Sequence, residues 1–105
     1  DLYNASPRAL QTALLSILTT KKKNQLKDWL LKATNLQVEF QGPWQKTLLG
    51  LAQSFLFCMD GLPLKAKPIL LENLSITEAN GLEIMHGLFL GLLSWIDNHH
   101  GWILF

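Results

Sequence analysis

The side chains in this chain that could do more than pack are three histidines, one cysteine, eight acids and a run of lysines. Asp97 and His100 stand three apart with His99 adjacent, close enough on a helix to draw a surface metal site. The set is incomplete for zinc, which takes four protein ligands or three and a water. Histidines at a helix C-terminus more simply complement its dipole. His86 falls inside an apolar run and is expected to be a core imidazole, hydrogen-bonded to a carbonyl or carboxylate. Cys58 also lies on an apolar face, away from any local cation that would lower its pKa, and is expected to be inert. No glycine-rich loop joins a strand to a helix, no carboxylate pair stands out, and no serine sits in a nucleophile turn. These residues point to a non-enzymatic protein with no metal and no cofactor.

The lysines are the stronger electrostatic feature. Residues 1–67 hold all nine Lys and Arg against four acids, whereas residues 68–105 hold four acids and no Lys or Arg. Lys21, Lys22, Lys23, Lys27 and Lys32 form a basic patch that could meet phosphate, an acidic protein or anionic lipid. The patch also fits an ordinary solvated helix face. Trp29 falls on the apolar side of the same segment, which leaves it poorly placed for stacking on bases. Nucleic-acid binding would therefore rest on nonspecific phosphate attraction.

The elements that must position these residues are helical. The chain has 105 residues, of which 49% are hydrophobic, enough for a core within a single domain spanning residues 1–105. Leucine dominates and β-branched residues are scarce, so the expected class is all-α. Ser6-Pro7 opens a first helix, whose face is Leu10, Ala13, Leu14, Ile17 and Leu18, and Thr19-Thr20 breaks it. A second helix is predicted from Lys22 to Ala33, burying Leu26, Trp29, Leu30 and Ala33. Leu36, Val38 and Phe40 alternate with polar residues as an extended piece. Gly42-Pro43 starts a third helix, Trp44 to Met59, which Asp60-Gly61 ends. Pro63 and Pro68 punctuate a connector holding one short helix, Pro68 to Asn73.

The last helix is predicted from Ser75 to Trp102, with Ser75 and Glu78 as a capping box and Asn98-His99-His100-Gly101 as the stop. It is apolar on nearly every side, so it is expected to be enclosed at the centre of the domain. Gly87 and Gly91 within it each cost about 0.5 to 1 kcal/mol relative to Ala. They are expected to mark close approach to the third helix. The resulting architecture is a compact bundle of four or five helices around a central antiparallel apolar pair, the third and last. The longest stretches without formal charge, Thr47–Met59 and Ile84–Ile96, fall short of the roughly 20 residues that span a bilayer. Membrane association therefore remains open without a spanning helix. The lone Cys58 and the lack of a signal-peptide pattern give an intracellular, cytoplasmic expectation.

The segment Trp95-Ile96-Asp97-Asn98-His99-His100-Gly101-Trp102, continued to Phe105, resembles the second homology motif of the Bcl (B-cell lymphoma) family of apoptosis regulators. The order Trp-Ile, four residues, Gly-Trp, two residues, Phe carries the likeness. The resemblance implies a helix followed by a bend, with the second Trp packed inward beside a groove for a partner's amphipathic helix. It assigns Trp95, Ile96, Gly101 and Trp102 those structural roles. The family's first motif, Asn-Trp-Gly-Arg, has only Pro43-Trp44-Gln45-Lys46 as a counterpart, without the Asn, Gly or Arg.

Both Trp95 and Trp102 are expected to be substantially buried. The apolar end of the chain, Gly101 to Phe105, is expected to turn away from the bundle and join a partner surface. The candidate partner-binding residues are Trp44, Trp95, Trp102, Ile103, Leu104 and Phe105. The expected function is a protein-interaction module that takes a protein partner, or a second copy, through an apolar groove or face. The alternative is a small helical subunit of a larger assembly, nucleic-acid-associated through Lys21–Lys32.

Overall fold

Proline, glycine and short side chains mark the ends of the helices. A computed structural model describes residues 7–20, 22–35 and 42–103, with side-chain detail at 9, 11–20, 22–35 and 42–98. The elements are α1 (Pro7–Thr20), α2 (Lys23–Asn35), α3 (Pro43–Met59), α4 (Pro63–Ala79) and α5 (Glu83–Ile103), an all-α bundle. Pro7, Pro43 and Pro63 each take the first helical position, where no amide hydrogen is needed. The predicted extended piece at 36–41 lies outside the described residues.

Two helices end in the same way. Gly61 and Gly81 adopt φ of 74° and 64°, the left-handed region that side chains disfavour. After α3, the Gly61 amide donates to the Cys58 carbonyl and the Leu62 amide to that of Phe57. After α4, the Gly81 amide donates to Glu78 and the Leu82 amide to Thr77. Both are Schellman caps, which satisfy carbonyls the helix would otherwise orphan.

The second cap overturns the predicted last helix. Ser75 and Glu78 lie inside α4, so they form no capping box, and the chain reverses at Asn80-Gly81. The predicted short helix from Pro68 to Asn73 is the middle of a 17-residue helix with Pro68 inside it. Proline there removes a bond to the Leu64 carbonyl, but Pro68 and Leu64 both lie on the exposed side, where water can replace the missing donor. The predicted stop at Asn98–Gly101 is also absent, because α5 continues to Ile103. A glycine within a helix costs about 1 kcal/mol relative to Ala and does not forbid it. The bend implied there by the Bcl resemblance is therefore not seen, and no turn at Gly101 sends the tail away.

Packing follows from the short connections at 60–62 and 80–82, which make sequential helices antiparallel neighbours. The Lys67 ammonium donates to the Asp97 carboxylate at 3.0 Å, and His86 Nδ1 lies 2.7 Å from Thr77 Oγ1, pinning α4 against α5 from opposite ends. Buried Asn73 faces buried Gly50 across α3 and α4. The expected central pair of third and last helices is thus replaced. α4 lies between α3 and α5, and those two run in the same sense. On the other side, α3 packs on α1 and α2. The Trp44 indole donates to the Gln11 amide oxygen at 2.7 Å, and Lys23 pairs with Asp60. α1 therefore runs alongside α3, and α2 runs against it.

The core joins Leu14 and Ile17, Leu26, Trp29 and Ala33, Leu48, Leu51 and Ala52, Ala66 and Leu70, and Met85, Phe89 and Ile96. Among the described residues α5 contributes Met85, Phe89 and Ile96 as its fully buried stripe, with Leu92 and Leu93 packed against the core beside it. Ile84 is 78% exposed, and Leu88, Leu90 and Trp95 are each more than two-fifths exposed. The expected enclosure of this helix fails because it packs along α4 at the edge of the bundle. Nor do Gly87 and Gly91 mark close approach, since a Cβ at either position would have nothing within 4 Å. The glycine that does is Gly50, whose Cβ would meet the Asn73 side chain. Among the described residues no helix is long and apolar enough to cross a membrane.

Candidate functional site

α1, α3 and α5 run in one sense, and between them the surface opens into an apolar groove of about 740 Å³. From α3 come Leu51, Phe55, Cys58 and Met59, from α1 Leu15, Leu18 and Thr19, and from α5 Gly87, Leu88, Gly91, Leu92 and Trp95. Helical spacing explains the α5 set. Positions 87, 91 and 95 rise along one face, with 88 and 92 beside them. The buried stripe of Met85, Phe89 and Ile96 holds the other face in the core.

The two glycines shape this wall. With no side chain at 87 or 91, α5 presents bare backbone to the groove, and Trp95 stands one turn further on. Trp95 is 42% exposed. The expected burial of Trp95 is therefore corrected, since α5 lies at the edge of the bundle.

Little polar chemistry enters the groove. The Thr19 hydroxyl is turned back to donate to the Ser16 carbonyl at 2.7 Å. Burial pushes the Cys58 thiol above its ordinary range, which keeps it protonated and a poor nucleophile. A surface of this kind can desolvate apolar side chains but offers no matched acid and base.

The other expected chemistry is scattered. His86 bonds the Thr77 hydroxyl rather than a carbonyl or carboxylate, and that hydroxyl lies 2.9 Å from the Leu74 carbonyl as donor. Imidazole Nδ1–H donating to Thr77 satisfies all of these groups. Asp97 is engaged by Lys67, and among the described residues no group of His, Cys, Asp or Glu could hold a metal ion. The side chains of His99 and His100 lie outside the described residues.

Of the two expected partner-binding residues whose side chains are described, Trp44 and Trp95, Trp95 lines the groove and Trp44 does not. Trp44 is half-buried where α1 meets α3, bonded to Gln11, because helical spacing points it at α1 rather than into the groove. Trp102 and Ile103 belong to the last turn of α5. Their side chains, and Leu104 and Phe105 entirely, lie outside the described residues. In the basic patch, Lys32 pairs with Asp28 at 3.1 Å and Lys23 with Asp60. Lys22 and Lys27 are exposed, while Lys21 lies outside the described residues.

Leu15, Leu18, Leu51, Phe55, Leu88 and Leu92 were missed as site residues. Their spacing is that of any core stripe, and the one signal that could have separated them was glycine at 87 and 91 without a partner backbone. Comparison with known protein families, with curated proteins and with solved structures finds no match to this chain.

Proposed function

We propose that this chain is a non-enzymatic helical interaction module that takes an amphipathic helix of a protein partner into the groove between α1, α3 and α5. One observation carries the reading: an apolar groove of about 740 Å³, walled by three helices and with open space beside two glycines of one wall. An amphipathic helix lays its apolar face into such a groove through residues spaced three and four apart. Trp95, the first residue of the segment that resembles the Bcl family's second motif, lines this wall. That position supports an apoptosis-regulator-like role, in which groove occupancy is the regulated event.

The test is calorimetric titration with a designed helical peptide carrying a leucine stripe, beside a peptide of the same composition with the stripe broken. Saturable binding of the first alone, insensitive to salt and abolished by Leu92→Glu, is the expected result. Failure of both to saturate would sink the reading. Steeply salt-dependent affinity for RNA or DNA in their place would favour the assembly subunit acting through Lys22 and Lys27.

A further inference from the structure

At one end of the bundle α2 and α4 begin and α1, α3 and α5 finish, and lysines gather there. Lys23 at the start of α2 pairs with Asp60 just after α3, and Lys67 in the second turn of α4 reaches Asp97 late in α5. Lys27 acts on the same Asp60 carboxylate. Lys22, before α2, and Lys65, in the first turn of α4, are exposed. Among the described residues these lysines face two aspartates that are already paired, so Lys22, Lys27 and Lys65 leave a positive excess. Further along α2, Asp28 and Lys32 pair with each other. The residues outside this description that adjoin the same helix ends, Lys21 and 99–105, bring no acidic side chain. Asp1 precedes α1 and Glu39 joins α2 to α3, the helix ends that lie away from these lysines.

Apolar side chains stand among these charges. Leu62 and Leu64 flank Pro63 where α3 turns into α4, and they are 43% and 52% exposed. Pro63 itself is buried, so the proline anchors the turn while both leucines meet water. Turns are built from glycine, proline and short polar residues for backbone reasons, and none of those reasons calls for leucine. Lys65 follows directly. The tip of the bundle is therefore apolar at its turn and basic beside it.

We infer that this end is a peripheral docking surface for an anionic lipid bilayer, with Lys22, Lys27 and Lys65 at the level of the headgroups and Leu62 and Leu64 entering the acyl boundary. It does not depend on what the groove between α1, α3 and α5 takes. Peripheral binding draws on two signals: basic residues gain from the negative surface potential, and apolar side chains gain by leaving water. Both signals are present at this one end. Nucleic-acid phosphate would use the lysines and leave both leucines in water. A protein partner would need carboxylates at fixed positions to meet lysines that come from the separate starts of α2 and α4. Lysine is a point charge on a flexible stem, and mobile headgroups meet it without matched positions. No spanning helix is required, in keeping with the described helices.

The test is co-sedimentation of the full chain with vesicles. Phosphatidylcholine carrying roughly 30% phosphatidylserine should bring the chain down, phosphatidylcholine alone should not, and added salt should release it. Lys22→Gln combined with Lys65→Gln should lower the partition coefficient about 25-fold, at roughly five-fold per lysine. Leu62→Ser combined with Leu64→Ser should lower it at least about ten-fold, with the helical circular dichroism unchanged because both leucines are exposed. Lys46→Gln, exposed in the first turn of α3 at the opposite end, should change it by less than about two-fold. No binding to either vesicle, or equal binding to both, would overturn the inference. A loss from Lys46→Gln as large as that from Lys65→Gln alone would overturn the assignment to this end. Vesicle binding indifferent to the leucine pair would overturn the insertion of the tip. Binding to single-stranded RNA without binding to vesicles would assign the lysines to nucleic acid instead.

Discussion

Gly50→Ala tests the contact that holds α3 against α4. A Cβ at position 50 would stand 2.6 Å from both Cγ and Oδ1 of Asn73, so something must move. Asn73 is buried, and its Nδ2 donates to the Ile69 carbonyl at 2.8 Å, so the side chain cannot swing aside without breaking that bond. Overpacking of this kind costs about 1 to 3 kcal/mol. Loss of the hydrogen bond adds about 0.5 to 1.5 kcal/mol. Alanine returns about 0.8 to 1 kcal/mol of helix propensity. The net expectation is a loss of about 0.5 to 3.7 kcal/mol, read from urea unfolding by circular dichroism. Asn73→Ala removes the obstacle together with Oδ1, the buried side-chain atom that has no partner among the described residues. In that background Gly50→Ala should turn neutral or stabilising by up to about 1 kcal/mol. If Gly50→Ala is harmless in the parent, or equally harmful with and without Asn73, the contact does not work as described.

Gly87→Ala and Gly91→Ala should each raise stability by about 0.5 to 1 kcal/mol in the same unfolding assay. A loss at either site would reveal a neighbour close to that backbone. Asp60 predicts an acid response: the hydrogen bond from Lys23 holds its carboxyl below the ordinary 3.8. Its stabilisation is therefore present above that value and lost as pH falls through the lower folded one. Asp60→Asn should flatten this part of the acid titration, and an unchanged acid limb would refute the pairing. Iodoacetamide should alkylate Cys58 more slowly in the folded chain than in urea, since burial raises the thiol pKa. Equal rates at mildly alkaline pH would show that the groove does not desolvate it.

The parts of the fold legible in the sequence were those written in local backbone chemistry. Pro7, Gly42-Pro43 and Asp60-Gly61 lie where α1 and α3 begin and where α3 ends because proline and glycine restrict or free φ regardless of what packs above them. Asn80-Gly81 is the same punctuation as Asp60-Gly61, but Ser75 and Glu78 offered a competing helix start. Glycine alone does not end a helix, so the choice lay in packing. Pro68 misled in the opposite direction: it breaks helices whose freed carbonyl is buried, and here that carbonyl belongs to exposed Leu64. The groove was hidden for a further reason. Leu88 and Leu92 recur with the spacing of a core stripe, and periodicity records which side of a helix is apolar without recording what covers it.

The glycines of α5 bear most directly on that uncovered side. In the isolated domain Gly87 and Gly91 together forgo about 1 to 2 kcal/mol of helix stability, and no neighbouring backbone uses the space they leave. Alanine at either site would serve the domain alone better. What glycine supplies is room beside Trp95 and Leu92, and filling that room with one leucine or phenylalanine of an occupant would recover about 1.5 to 3 kcal/mol on full burial. The two quantities are of the same size. Under the proposed occupancy the loss within α5 is offset only in the complex, which makes the glycines part of the binding surface rather than of the core.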